Sequence, residues 1–374
     1  MNVLKVRENF GLAYFVLPYL SPIKNKISLL LSIILGSSKY RIILKDNTVV
    51  TFDSSKFVIM RSLLGILTFA ANYNISKKEI SVSFDLKEYF TLPLENLSYE
   101  DENFLEVLFF GTKYGADFVV DDKIPKKNYR DKTFLITKFD GKKIIETSTG
   151  IRFYIDSMHV GNTIIETFVK NIHLINSNYD WSNKVVVDVG AECGDTPLYF
   201  ADKGAKVYAF EPVKTHYEAM MRNIELNPDL SKRIIPINAA IGKDGLLKFI
   251  ESTNFGGGGG ASFLYDNQDG KGKTTEVLGY SLESALEKFN IQSVDLLKMD
   301  CKGCEFFLNE EVLKNVNMVK IEYSIHSNEH KMENLLRVLE NAGFRCLVYR
   351  NNDQNRRSNR LSGNIYGIKI NKHD

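Results

Sequence analysis

The stretch Val185-Val186-Val187-Asp188-Val189-Gly190-Ala191-Glu192-Cys193-Gly194-Asp195 constrains the fold more than any other part of this chain. Its short run of β-branched apolar residues reads as a strand buried on both faces, as in a parallel sheet. Two glycines then let the backbone turn sharply and approach a ligand with no Cβ in the way, and a helix follows. The spacing is Gly-x-x-x-Gly, not the Gly-x-Gly-x-x-Gly of pyrophosphate-binding folds. The acidic neighbours Asp188, Glu192 and Asp195 would repel phosphate and suit a ligand with a cationic end.

Strands and helices alternate around this turn. A helix is expected at Ile164–Ile175, strands at Lys206–Phe210 and Ile234–Asn238, and between them a helix Thr215–Leu226 opened by a Thr215/Glu218 capping box. Further on come a helix Ser281–Phe289, strands Val294–Met299 and Val319–Tyr323, and a helix Lys331–Asn341 stopped at Gly343. A strand pair, Phe344–Tyr349 and Asn364–Ile370, closes the series. Such alternation implies an α/β, Rossmann-like, doubly wound sheet, mostly parallel with an antiparallel C-terminal strand.

The second strand ends in Phe210-Glu211-Pro212, with Glu211 23 positions after Asp188. There a carboxylate can accept hydrogen bonds from both hydroxyls of a ribose. The third strand ends in Asn238-Ala239-Ala240-Ile241-Gly242, small residues that leave room for an adenine ring, with backbone groups or Asn238 reading its edge. Asp188, Gly190, Glu192, Gly194, Glu211, Pro212, Asn238 and Ala239 are therefore the candidate nucleoside-binding residues.

These motifs, followed by Asp295-Leu296-Leu297-Lys298-Met299-Asp300-Cys301-Lys302-Gly303-Cys304-Glu305, make residues 164–370 resemble the FkbM-type methyltransferases. The resemblance implies a class I methyltransferase fold, S-adenosylmethionine as cofactor, and O-methylation of a hydroxyl on a sugar, glycan or other small-molecule acceptor. The family's fourth strand is typically followed by Asp-x-Glu-Gly-x-Glu; Asp300, Gly303 and Glu305 match, whereas Lys302 replaces the middle glutamate.

Methyl transfer to oxygen requires the acceptor to be aligned and its proton removed. Asp300, at the carboxyl end of a central strand, is a candidate base, or a residue orienting the acceptor or the cofactor's amino group. Glu305 is a second candidate, with a pairing to Lys298 or Lys302 as its structural reading. Glu322 and His326 follow near the end of the fifth strand, and His326 has the side chain whose ordinary pKa lies nearest neutrality. Cys301 and Cys304 form a C-x-x-C, which leaves a redox or metal role open, but without a second pair or clustered histidines they read first as small packing residues and no metal is expected. Gly256 to Gly260 reads as a flexible loop or a lid, and Arg350 to Ser362 as a basic hairpin loop.

With 374 residues, two folded units are expected. We divide the chain into an apolar helical segment 1–38, an α+β accessory domain 39–160 and the cofactor-binding domain 164–374. In the accessory region, residues 40–52 read as a β-hairpin turning at Asp46-Asn47, Phe104–Phe110 as extended or buried, and residues 134–155 as containing a hairpin turning at Asp140-Gly141. Phe10–Leu20 and Ile27–Leu35 are apolar, yet each is about half the roughly 20 residues needed to span a bilayer. A buried helical pair is the plain reading; peripheral membrane contact through residues 10–36, with Lys24 and Lys26 at the headgroups, is the sharper one. No secretory signal is evident, so a cytoplasmic protein, membrane-associated if that contact forms, is the default.

The 48 basic and 46 acidic side chains leave a formal net charge of only +2, which argues against a dedicated nucleic-acid binder. An RNA methyltransferase is the runner-up function, disfavoured also by the absence of an Asn-Pro-Pro-Tyr motif. A catalytically degenerate, cofactor-binding scaffold is the alternative from another class, kept open by Lys302.

Overall fold

The computed structural model describes residues 3–75, 79–83, 89–94, 97–120, 131–158, 161–173, 178–251, 261–262, 273–325, 330–350 and 362–370. The chain divides into two units, Met1–Asp156 with Val160–Lys170, and Ser157–His159 with Asn171–Asp374.

In the first unit, helices α1 (Val3–Val16) and α2 (Lys26–Ile34) pack together, with the Asn9 amide donating to the Ile34 carbonyl at 3.2 Å. Strands β1 (Lys39–Ile43) and β2 (Val49–Asp53) form a hairpin whose Asn47 sits at φ 72° while Asp46 accepts the Thr48 N–H. Helix α3 (Phe57–Phe69) follows, then an antiparallel sheet of β3 (Asn72–Ile75), β4 (Glu79–Ser83) and β5 (Tyr89–Pro93). The Phe104–Phe110 run is not extended; it lies inside helix α4 (Tyr99–Lys113), started by a Ser98/Asp101 capping box. Phe104, Leu105, Leu108 and Phe109 recur at helical spacing and are buried, a period hidden by the aromatic density of the run. Strands β6 (Asp117–Val120), β7 (Thr133–Phe139), β8 (Lys142–Glu146) and β9 (Arg152–Tyr154) make a further sheet, with the β7–β8 turn at Asp140-Gly141.

Helix α5 spans Asn162–Phe168, not Ile164–Ile175, and groups with the first unit. Beyond it the backbone is taken up within the second unit: Tyr366 Oη donates to the Ile172 carbonyl at 2.7 Å and Tyr199 Oη to Asn171 at 3.1 Å. Those tertiary bonds replace helical ones that the apolar pattern alone favours.

The second unit is built on β10 (Val185–Val189), α6 (Asp195–Asp202), β11 (Lys206–Phe210), α7 (Lys214–Glu225), α8 (Pro228–Ser231) and β12 (Ile234–Ile237). Then come β13 (Ala240–Ile241), β14 (Gly245–Glu251), β15 (Ala261–Ser262), β16 (Lys273–Tyr280), α9 (Leu282–Lys288), β17 (Val294–Met299), β18 (Val316–Ser324), α10 (Met332–Asn341), β19 (Phe344–Arg350) and β20 (Ser362–Lys369). Seven strands form one sheet in the order β12-β11-β10-β17-β18-β20-β19, the first five parallel and β20 antiparallel to both neighbours. The order reverses between β10 and β17, the switch point at which open α/β sheets bind ligands. One face carries the apolar core of Val187, Val189, Leu297, Met299, Val319 and Ile321. Asp188, Lys298 and Lys320 stand in register on the other.

Two local expectations change. Helix α7 starts at Lys214 with Val213 as its uncapped N-cap, so Thr215 and Glu218 make no capping box. The reason is tertiary: the Glu211 carboxylate takes the Val213 N–H at 2.9 Å and sets the helix start early. The helix expected at Ser281–Phe289 is present as α9, but between β12 and that helix the chain forms a second sheet, β13-β16-β14-β15, where the sequence suggests only a glycine loop. Gly256 to Gly260 themselves, and residues 351–361 of the basic segment, lie outside the described residues.

Candidate cofactor site

The site is assembled at the carboxyl ends of β10, β11, β12 and β17. Gly190 follows β10 at φ +82°, and a Cβ built there would stand 2.2 Å from the Asp300 carbonyl oxygen. Only glycine fits, because the turn must pass directly over the end of β17. Its N–H and that of Ala191 both bond the Phe210 carbonyl, at 2.9 and 3.1 Å, while Asp300 N–H bonds the Val189 carbonyl at 2.8 Å. Three strand ends are thus stitched together by backbone alone. Gly194, at φ +86°, caps α6 where a Cβ would press on Met220 at 3.0 Å. Glu192, between them, also adopts positive φ, at 46°.

Glu211 is the hub of this rim. It is 4% exposed; Oε2 accepts the Glu192 N–H and Oε1 the Val213 N–H, each at 2.9 Å. His216 Nδ1 lies 3.6 Å from Oε1. Burial pushes the carboxyl up to about 7 against the lowering effect of those N–H groups. Each oxygen keeps a lone pair, so two further donors can be accepted. Pro212 is half-buried and Ala239 buried. Asn238 is exposed, and its amide donates to the Glu211 and Pro212 carbonyls at 2.8 and 3.2 Å. Its N–H groups are therefore used to tie β12 to β11, a correction to the expectation that they read a ring edge.

Asp188 is not presented at the rim. It is fully buried, with Oδ1 2.8 Å from Lys298 Nζ, and the same ammonium donates to the Gly190 carbonyl at 2.9 Å. Asp188, with Asp300 and Asp195 behind it, holds Lys298 protonated despite a burial that alone would do the opposite. Asp188 acts on the turn through Lys298, and its Oδ2 has no hydrogen-bond partner. Lys298 therefore pairs with Asp188, not with Glu305. Lys320, beside Lys298 in register, has no hydrogen-bond partner at its buried Nζ among the described residues, and burial lowers its proton affinity against the raising effect of Asp300 and Glu322.

Beyond β17, Lys302 Nζ bridges Asp300 Oδ1 at 2.7 Å and Glu322 Oε1 at 3.0 Å. Although burial opposes ionisation, Lys302, Lys298 and Lys320 together hold the Asp300 carboxyl far below the usual carboxylate range. A carboxylate that gives up its proton so readily is a poor base but a strong hydrogen-bond acceptor. The lysine in place of the family's glutamate thus joins two carboxylates that would otherwise repel.

Glu305 is no candidate for catalysis. It is fully buried, with Oε2 accepting Gly303 N–H at 2.6 Å and Oε1 accepting Ser324 N–H at 3.0 Å, so it braces the turn after β17 against the end of β18. Cys301 and Cys304 are joined by a disulfide, not merely packed. Their sulfurs and the Glu305 carboxylate lie within 4.8 Å of one another. His326 falls outside the described residues.

The pH dependence of stability follows from the braces. Burial pushes Glu305, like Glu211, up to about 7. Both groups bind a proton more tightly folded than unfolded, so their contribution is present below the unfolded carboxyl range and lost as pH rises through about 7. The melting temperature is expected to fall between about pH 5 and about pH 8, and Glu305→Gln to make that fall shallower. A scanning-calorimetry series showing a flat or rising trend would refute the assignment.

An adenosyl sulfonium fits these residues. The turn at Gly190 has no room for a side chain, and Glu211 keeps acceptor capacity at the rim. Lys298 and the Glu305 brace were missed from the sequence as parts of this unit. The signal was present for Lys298, a lone cation inside the apolar strand Leu296-Leu297-Lys298-Met299, since buried charges are seldom unpaired.

Comparison with known proteins adds one family and a set of distant structures. Residues 188–346 match the methyltransferase FkbM domain. No curated protein shows significant sequence similarity to the chain. Among solved structures, PH0793 of Pyrococcus horikoshii is similar at 12% identity and a TM-score of 0.34, over 63% of this chain and 78% of that one. EvdMO1 is similar at 11% and 0.33, over 54% and 40%. Magnesium protoporphyrin IX methyltransferase of Synechocystis PCC 6803, solved with S-adenosylmethionine, is similar at 10% and 0.29, over 54% and 77%.

Proposed function

With residues 188–346 belonging to the FkbM methyltransferase family, we propose that this S-adenosylmethionine-dependent methyltransferase acts on a hydroxyl oxygen of a sugar, glycan or other small-molecule acceptor. The observation that carries this reading is the convergence of Glu211, the Gly190 turn and Asp300 at one rim of the sheet, where β10 hands over to β17. S-adenosylmethionine, when bound, supplies a methyl group made electrophilic by its sulfonium.

The chain's own residues do the rest. Glu211 accepts the two ribose hydroxyls with the lone pairs its backbone bonds leave free. Gly190 brings main chain against the ligand, and Lys298 keeps the turn in place through its carbonyl. Ala239, small and buried, leaves space for a flat ring. Asp300, ionised by Lys302, accepts a hydrogen bond from the acceptor hydroxyl and aligns its oxygen. The hydroxyl proton passes to solvent along the partly exposed Asp300 carboxylate as the oxygen takes the methyl and S-adenosylhomocysteine leaves.

Asp300→Asn is expected to lower turnover about 10²-fold by misaligning the acceptor, and the wild-type rate profile to show no acid limb in the normal carboxylate range. The function is tested by supplying the purified chain with S-adenosylmethionine and panels of free sugars, nucleotide sugars, glycans and RNA, and measuring S-adenosylhomocysteine release. Release that depends on a sugar or small hydroxylated acceptor supports the reading. Release with RNA alone replaces it by RNA methylation, and calorimetric cofactor binding without release on any acceptor replaces it by a scaffold role.

A further inference from the structure

No helix among the described residues is long and apolar enough to cross a membrane. Yet α1 and α2, each with the residue that follows it, leave an apolar stripe uncovered. Phe10, Tyr14 and Leu17 recur at i, i+4, i+7, and Ile27, Leu31 and Leu35 at i, i+4, i+8. All six are between 48% and 76% exposed. The opposite sides of the same helices bury Ala13, Val16, Leu29 and Ile33. Each helix is therefore anchored to its unit by one face and presents the other. The Asn9–Ile34 bond sets the middle of α1 beside the end of α2, so the pair is an antiparallel hairpin.

Charge identifies the occupant. From Asn9 to Lys45 the chain has five basic residues and no acidic one. Four of the five gather at the α1–α2 connector because it is paired onto β1: Ile23 bridges Leu44, Lys45 N–H bonds the Pro22 carbonyl at 3.0 Å, and Asn25 bonds the Arg41 carbonyl at 2.8 Å. Lys24, Lys26, Arg41 and Lys45 are all exposed, with Asp46 the one acid adjoining them. Lys24 donates to the neutral Asn47 amide, which leaves its charge uncompensated.

We propose that the α1–α2 hairpin is an interfacial membrane anchor, lying in the plane of an anionic bilayer surface. Its six apolar side chains enter the boundary between headgroups and acyl chains, and the connector cations meet the acidic headgroups. Four exposed cations against one adjoining acid, bordering an apolar stripe, complement a phosphate- and carboxylate-rich lipid surface. The reading is independent of the methyl acceptor.

The test uses the full chain with sucrose-loaded vesicles of phosphatidylcholine alone and of phosphatidylcholine mixed two to one with phosphatidylserine. Co-sedimentation is expected with the mixed vesicles, weakening as salt is raised. Leu31→Glu with Phe10→Glu should lower partitioning at least about tenfold, and Lys24→Gln with Lys26→Gln by several-fold. Because these side chains are exposed, the variants should keep the wild-type melting temperature and cofactor affinity. Equal recovery of wild type and the Leu31→Glu/Phe10→Glu variant with vesicles overturns the proposal. So does light scattering that shows a lipid-free wild-type dimer, dissociated by that variant, with no vesicle binding.

Discussion

Replacing Glu211 by alanine is expected to lower S-adenosylmethionine affinity by about two orders of magnitude, measured by isothermal titration calorimetry. Two losses combine. The ribose hydroxyls lose an ionised acceptor, at roughly 1.5–3 kcal/mol per charge-assisted hydrogen bond. The Glu192 and Val213 N–H groups lose the partner that fixes the turn and the start of α7. Glu211→Gln keeps one acceptor and should fall between wild type and alanine. Since burial pushes Glu211 up to about 7, affinity in the wild type is expected to strengthen as pH rises through about 7 and the carboxyl ionises. That dependence should be absent in Glu211→Gln. Unchanged affinity in the alanine variant would remove Glu211 from the site.

Lys298→Met is expected to destabilise the chain by about 3–5 kcal/mol in urea unfolding, because it strands the Asp188 carboxylate in the interior. The pair is 2.8 Å apart with both side chains at most 4% exposed, so no water can enter to replace the missing cation. The double variant Asp188→Asn/Lys298→Met removes both charges of the pair and should recover at least about 2 kcal/mol of that loss. Stability recovered without cofactor affinity would mark the pair as positioning the Gly190 turn, since Lys298 also holds the Gly190 carbonyl. A single variant as stable as wild type would show that the two groups do not pair.

The strands of the cofactor-binding unit were legible because a buried parallel strand needs a short apolar run, and Val185–Val189, Lys206–Phe210 and Val294–Met299 supply one each. Helix boundaries were less so. The apolar pattern after Phe168 continues, but the Ile172 carbonyl is claimed by Tyr366 from 194 positions away. Capping chemistry at Thr215 lost to a carboxylate from outside the helix. Phe104–Phe110 shows the converse, a helix whose inward aromatics are so dense that period and composition gave different answers. The C-x-x-C was visible, whereas its disulfide depends on how the turn between Asp300 and Glu305 closes.

By itself the sequence determined which residues could meet a nucleoside: a glycine turn after one strand and an acid at the end of the next, both local consequences of strand–turn–helix geometry. Only the tertiary structure decided how the charges are shared. Asp188 turned inward to Lys298, Glu305 became a brace, and Lys302 drew Asp300 and Glu322 together. A carboxylate's role depends on which cation or N–H lies within hydrogen-bond reach and how much water is excluded, and those neighbours come from strands far apart in the chain.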